Sequence, residues 1–144
     1  MHLHTKETVS LFNIYAPTLL GDKKACWESI RDLANEIEMI NVILARDMNI
    51  TLSQEEKRGG SIVRDLVKKW VEELIQDWDL LDIKPPKGKY TWTNRRTGPG
   101  HITVRLDRFL IQSSFLLLGL DLSSPILSFS VSDHKPIRLE MSRI

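Results

Sequence analysis

The segment Val42-Ile43-Leu44 constrains this chain more than any other. Three consecutive apolar residues, two of them β-branched and none alternating with a polar residue, read as a buried strand. From Lys23 to Met39, Trp27, Ile30, Ala34 and Ile37 recur at helical spacing. After the strand, Val63, Leu66, Val67, Trp70, Leu74 and Trp78 form a more regular stripe, so those tryptophans belong to the core. An earlier run, Val9 to Tyr15, reads as a strand stopped by Ala16-Pro17, and Gly59-Gly60 breaks the polar loop between the second strand and the second helix.

Past Pro85-Pro86 the helical periodicity ends. "KYTWTN", "VRLDRFLI", "PILSFS" and the closing "KPIRLEM" are short β-rich segments. The order strand, helix, strand, helix, then several strands predicts an α/β (α+β) fold: a layered β-sandwich with flanking helices and a mixed sheet. Residues 1–144 read as a single domain without repeat or linker. The early strand has too few partners for a two-sheet core. The expectation is therefore a domain incomplete at its N-terminus, with exposed edge and apolar surface, or one that pairs with another chain.

Composition narrows the class. Hydrophobic residues at 42% and charged residues at 27% fit a globular chain. No apolar run approaches the ~20 residues of a membrane span, and the first residues lack a secretory signal. This predicts an intracellular protein of nucleus or cytoplasm with no membrane partner. One cysteine, Cys26, excludes an internal disulfide, and its place on the first helix suggests packing. A net charge of +1 gives no global attraction to nucleic acid. Locally, Lys84, Lys87, Lys89, Arg95, Arg96, Arg105 and Arg108 face a single acid, Asp107, with Tyr90 and Trp92 interleaved. Such a segment is either a solvated loop face or a surface that holds phosphates and stacks bases.

The polar residues that end the strands carry the chemistry. Asp47 and Asn49 follow the buried strand. They form a turn, the commoner meaning of Asp-x-Asn, or a site in which period-two geometry points both the same way. Tyr15 ends the first strand, Asp107 interrupts an apolar one between Leu106 and Arg108, and Asp133-His134 precede a turn at Pro136. Each has an ordinary structural reading: a core tyrosine, an ion pair with Arg105 or Arg108, a turn. Thr91 and Asn94 stand in "YTWTN".

Taken in order, "NIYAP", "ILARDMN", "EEKRGG", "GKYTWTN", "RLDRFLI" and "SDHKPI" resemble the C-terminal part of the endonuclease/exonuclease/phosphatase superfamily. The likeness is nearest to the endonuclease domain of LINE-type (non-LTR) retrotransposons and spans nearly the whole chain. The resemblance implies Mg²⁺-dependent hydrolysis of a DNA phosphodiester, with Mn²⁺ as a possible substitute, and a reverse transcriptase domain in a longer parent protein. It implies Asp47 as general base, Asn49 as electrostatic stabiliser, His134 as donor to the phosphate, and Asp107 as the carboxylate that holds the imidazole. Tyr15 would contact the phosphate or the leaving oxygen, and Asp133 would lie at the metal. Lys89, Trp92, Asn94, Arg95, Arg96 and Arg105 would contact nucleic acid.

Two departures temper what is expected. The family's upstream Asn and its metal-binding Glu have no counterpart among the fourteen residues before Tyr15, where Glu7 and Asn13 stand in other contexts. Where the family has glycine before the catalytic Asp, this chain has Ala45-Arg46; Arg46 would place a cation beside Asp47 and make it less basic. Met48 is harmless volume. Little or no nicking by the chain alone is the expectation. The other readings are a catalytically inactive remnant or nucleic-acid-binding module, and a small-molecule phosphoesterase of the same superfamily. His2 and His4 form an H-x-H pair without a third ligand in view, which argues against a metal site.

Overall fold

The computed structural model describes residues 8–36, 41–61, 65–128 and 132–144. His2, His4, Glu7, Ile37 and Val63 lie outside them. The central sheet has four strands in the order β1 (Ser10–Tyr15), β2 (Val42–Asp47), β7 (Asp107–Gln112), β4 (Leu80–Asp82). β1 and β2 run parallel, in register from Ser10↔Val42 to Tyr15↔Asp47, joined through helix α1 (Leu20–Glu36). β7 is antiparallel to both β2 and β4. A small sheet joins β3 (Lys57–Arg58), β6 (Thr103–Val104) and β5 (Trp92–Thr93), and a two-stranded one pairs β8 (Leu120–Ser123) with β9 (Glu140–Arg143). The chain is mixed α/β, as the order of its segments implied.

The buried strand has a layer on each side. Val42, Leu44 and Leu110 pack with Trp27 and Ile30 of α1 and with Val71 and Leu74 of α2 (Lys68–Asp77). On the opposite face Ile43 and Ile111 meet Phe115 of the short helix α3 (Ser114–Leu117), with Leu120, Leu122 and Leu139 around them. Cys26 is packed against the helix-side core, and burial pushes its thiol pKa up. At the sheet edge β1 leaves Leu11 and Tyr15 exposed, as is Val9 just before it. Among the described residues no helix is long and apolar enough to cross a membrane.

The stripe of α2 matches the sequence expectation at Val67 and Leu74, with Trp70 and Trp78 packed against the same core, and departs from it at Leu66 and in adding Val71. Val67, Val71 and Leu74 are buried, while Leu66 is exposed because it precedes the helix, in a turn. Trp70 is half-buried and lies beneath the Arg31 guanidinium, 5.5 Å from the ring centre. Lys69 and Glu72 are exposed, and Lys68 is half-exposed and pairs with Glu72. In the β-rich half, "PILSFS" contributes only an isolated bridge, Ile126↔Ile137, among its described residues, and the last strand begins at Glu140 rather than Lys135. β4, α3 and β8 carry too few residues for a periodic signal.

Candidate active site

Asp47 ends β2 and Asp107 begins β7, and the antiparallel register sets the two side by side. His134 comes from the far end of the chain, and backbone pairing brings it there. The amide of Thr93 donates to the Asp133 carbonyl at 3.1 Å, and that of Lys135 donates to the Thr91 carbonyl at 2.7 Å. Thr91 is itself buried, and its hydroxyl accepts the amides of Leu106 and Asp107 at 3.0 Å each. One threonine thus fixes the start of β7 and the segment that carries His134. Nothing in "YTWTN" marks Thr91 for this role.

The resulting geometry is compact. His134 Nδ1 donates to Asp107 Oδ2 at 2.8 Å, and its Nε2 lies 3.7 Å from Asp47 Oδ2. One ligand atom from each of Asp47, Asp107 and His134 falls within 4.8 Å of the others, so the three could hold a metal ion. Burial alone would lower the His134 pKa. The hydrogen bond to Asp107 and the charges of Asp107, Asp47 and Asp133 outweigh it, so the imidazole titrates above its usual range. Burial raises the Asp47 pKa, and repulsion from Asp107 adds to the effect. The amide of Asn49, His134 and Arg46 pull the other way without reversing it. Arg46 thus acts on Asp47 in the expected direction, but desolvation is the larger effect and the net shift is upward.

Asp47 unites the two readings of "Asp-x-Asn". Its Oδ1 accepts the Asn49 amide at 2.9 Å, a turn, while its Oδ2 faces His134. Asn49 does not point the same way. Its φ of 46° is left-handed, which ends the extended chain, and its side-chain amide donates to the Ala16 carbonyl. Its own carbonyl accepts Lys23 Nζ at 2.7 Å. In this arrangement Asn49 ties β1, α1 and the turn after β2 together. Tyr15 pairs with Asp47 in the β1–β2 register, but its ring is exposed beneath the Arg46 guanidinium. Asp133 neighbours His134 yet stands outside the three-residue group; its Oδ2 accepts the Trp92 indole N–H at 3.2 Å.

The basic segment divides in two. Arg105 was expected at nucleic acid, but it is buried and makes a bidentate pair with Asp82 at 2.7 Å and a contact with Glu56 at 2.9 Å. Arg108 is also buried, bonded to Glu56 and Asp82 and to the Ile50 and Arg105 carbonyls. Two acids offset two bases, so neither arginine is free to reach a ligand. The quartet staples the loop after β2 to the start of β7. Nothing in the sequence distinguishes Arg105 from its exposed neighbours, since only three-dimensional pairing separates them. Asn94 also serves the loop, donating to Gly100 and accepting the amides of Arg96 and Ile102. Lys89, Arg95 and Arg96 are exposed; Arg95, Arg96, Trp92, Asn94 and Asp133 help line an open cavity of about 610 Å³.

No known family model matches the chain, and no curated protein matches it.

Proposed function

We propose that this chain is a metal-dependent phosphodiesterase domain acting on DNA, of the type that serves LINE-type retrotransposons, with low activity as an isolated chain. The observation that carries the reading is His134, hydrogen-bonded to Asp107 on one side and 3.7 Å from Asp47 on the other. The order of strand-end motifs supports it.

The donor set fits a divalent cation in part. Two carboxylates suit the hard ion Mg²⁺ or Mn²⁺, but Mg²⁺ takes about six oxygens and the imidazole is already engaged with Asp107. The ion would neutralise and polarise phosphoryl oxygens. Asp107 holds the ring orientation of His134, so that a protonated imidazole offers Nε2–H to a phosphate or leaving oxygen. Asp47, with its raised pKa, accepts the proton of the attacking water. Lys89, Arg95 and Arg96 supply a cationic rim for the DNA backbone beside Trp92. A reverse transcriptase domain in a longer parent protein is the partner this reading implies.

The test is relaxation of supercoiled plasmid, and hydrolysis of bis(p-nitrophenyl) phosphate, with millimolar Mg²⁺ or Mn²⁺. Slow, EDTA-sensitive turnover lost in both Asp47→Ala and His134→Ala supports the reading. Equal rates in parent and variants, or neither metal binding nor hydrolysis, overturns it. The engagement of Asn49, Asp133 and Arg105 in structural contacts favours, as a second reading, a nucleic-acid-binding module without turnover. DNA retention unaffected by EDTA, with no hydrolysis, would select it.

A further inference from the structure

Arg46 breaks the alternation of its strand. Val42 and Leu44 point into the helix-side core, and a regular strand would send Arg46 after them, next to buried Arg108, its cross-strand partner. A second guanidinium buried there would meet like charge and lose its water. Instead Arg46 adopts a φ of 104°, a conformation side chains rarely enter, and is exposed with its guanidinium 5.5 Å above the Tyr15 ring. It makes no ion pair with a carboxylate among the described residues. With Asn13, Asp107, His134 and Lys135 it lines a cavity of about 400 Å³.

We infer that Arg46 and Lys135 form a phosphate-binding arm of this site, with Tyr15 as the platform that holds the Arg46 guanidinium in place. The arm rests on the phosphodiesterase reading for the identity of the anion. Three observations support it. The strained backbone turns the cation toward the cavity that Asp107 and His134 share. The aromatic face restrains the guanidinium without using its N–H donors, which stay available for a bidentate phosphate contact. The carboxylates nearby are engaged, Asp107 by His134 Nδ1 and Asp47 by the Asn49 amide, which reduces their repulsion of an incoming anion.

The experiment is titration of the chain with inorganic phosphate in EDTA, read by the side-chain Nε–H resonance of Arg46 and by calorimetry. Arg46→Gly and Arg46→Gln should each weaken phosphate binding by about tenfold, the scale of one lost charge-assisted contact. Only Arg46→Gly should also raise the urea midpoint, because glycine adopts a φ of 104° without strain. Tyr15→Leu should weaken binding less. Unchanged affinity in Arg46→Gly or Arg46→Gln overturns the proposal, as does the absence of phosphate binding by the parent chain. The two readings fail separately. Hydrolysis lost with Asp47→Ala can stand beside unchanged phosphate binding, and phosphate binding that depends on Arg46 can stand where no hydrolysis occurs.

Discussion

His134 and Asp107, 27 residues apart in the chain, meet through a single hydrogen bond of 2.8 Å between Nδ1 and Oδ2. That contact orients the imidazole so that Nε2 faces Asp47. Replacing the acceptor charge should be felt directly by the ring. In Asp107→Asn the His134 imidazole should titrate at lower pH than in the parent, because burial would then act against a weaker favourable interaction. NMR titration of the ring protons in EDTA reads this, and an unchanged midpoint would show that the contact is absent in solution.

The pH dependence of stability follows from the same cluster. A histidine whose pKa is raised by folding contributes stability that is fully present below its unfolded value of 6.5 and is lost as pH rises through the folded one. Asp47 acts in the same direction at lower pH: raised above 3.8, it holds its proton better when folded, so ionisation removes stability as pH rises. The stability advantage of the parent over His134→Gln, measured by urea unfolding in EDTA, should therefore shrink between pH 5.5 and pH 9. A gap that widens would contradict the raised histidine pKa.

The buried quartet of Glu56, Asp82, Arg105 and Arg108 should dominate the cost of single substitutions. Arg108→Ala leaves Glu56 buried without its main partner and should cost about 3–5 kcal/mol. Adding Glu56→Leu should recover part of that loss, since no uncompensated charge then remains. Urea denaturation of the two variants measures both effects, and additive losses would refute the coupling.

Gly59 allows the loop after β2 to meet the turn before β6. A Cβ there would stand 2.1 Å from the His101 carbonyl oxygen, and the φ of 86° is one that side chains avoid. Gly59→Ala should destabilise by at least ~1–3 kcal/mol, with backbone displacement at both segments. Thermal unfolding checks the magnitude, and amide exchange at Ile102 to Val104 checks the location.

A divalent ion held by Asp47, Asp107 and His134 should stabilise the fold by mass action. At ten times its Kd the gain is about 1.4 kcal/mol. Mn²⁺ should raise the thermal midpoint of the parent chain, and the increment should vanish in Asp47→Ala. An equal shift in both would place the ion elsewhere.

Much of this arrangement was legible in the residues because it rests on local pattern. The run Val42-Ile43-Leu44 reads as buried wherever it lies, and Trp27, Ile30 and Leu74 from the two helical stripes pack against Val42 and Leu44. Asp47 and Asp107 stand where strands end and begin, positions at which a polar side chain can reach a cleft while its neighbours stay buried, whereas His134 sits on an isolated bridge to Trp92 rather than at a strand end. Leu66 misled because the start of a helix depends on the turn before it rather than on apolar spacing.

Pairing across the chain was not legible. Arg105 and Arg96 have the same side chain within one basic segment, yet one is sealed against Glu56 and Asp82 while the other is exposed. Asn49 and Asp133 have the right chemistry for the cleft, and the tertiary fold uses them on the Ala16 carbonyl and the Trp92 indole. The sequence by itself determined the layers and which polar residues end the strands, because burial and period act over a few neighbours. Tertiary structure decided which of those groups face one another, because hydrogen bonds and ion pairs are set by distances of a few ångströms between segments that lie tens of residues apart.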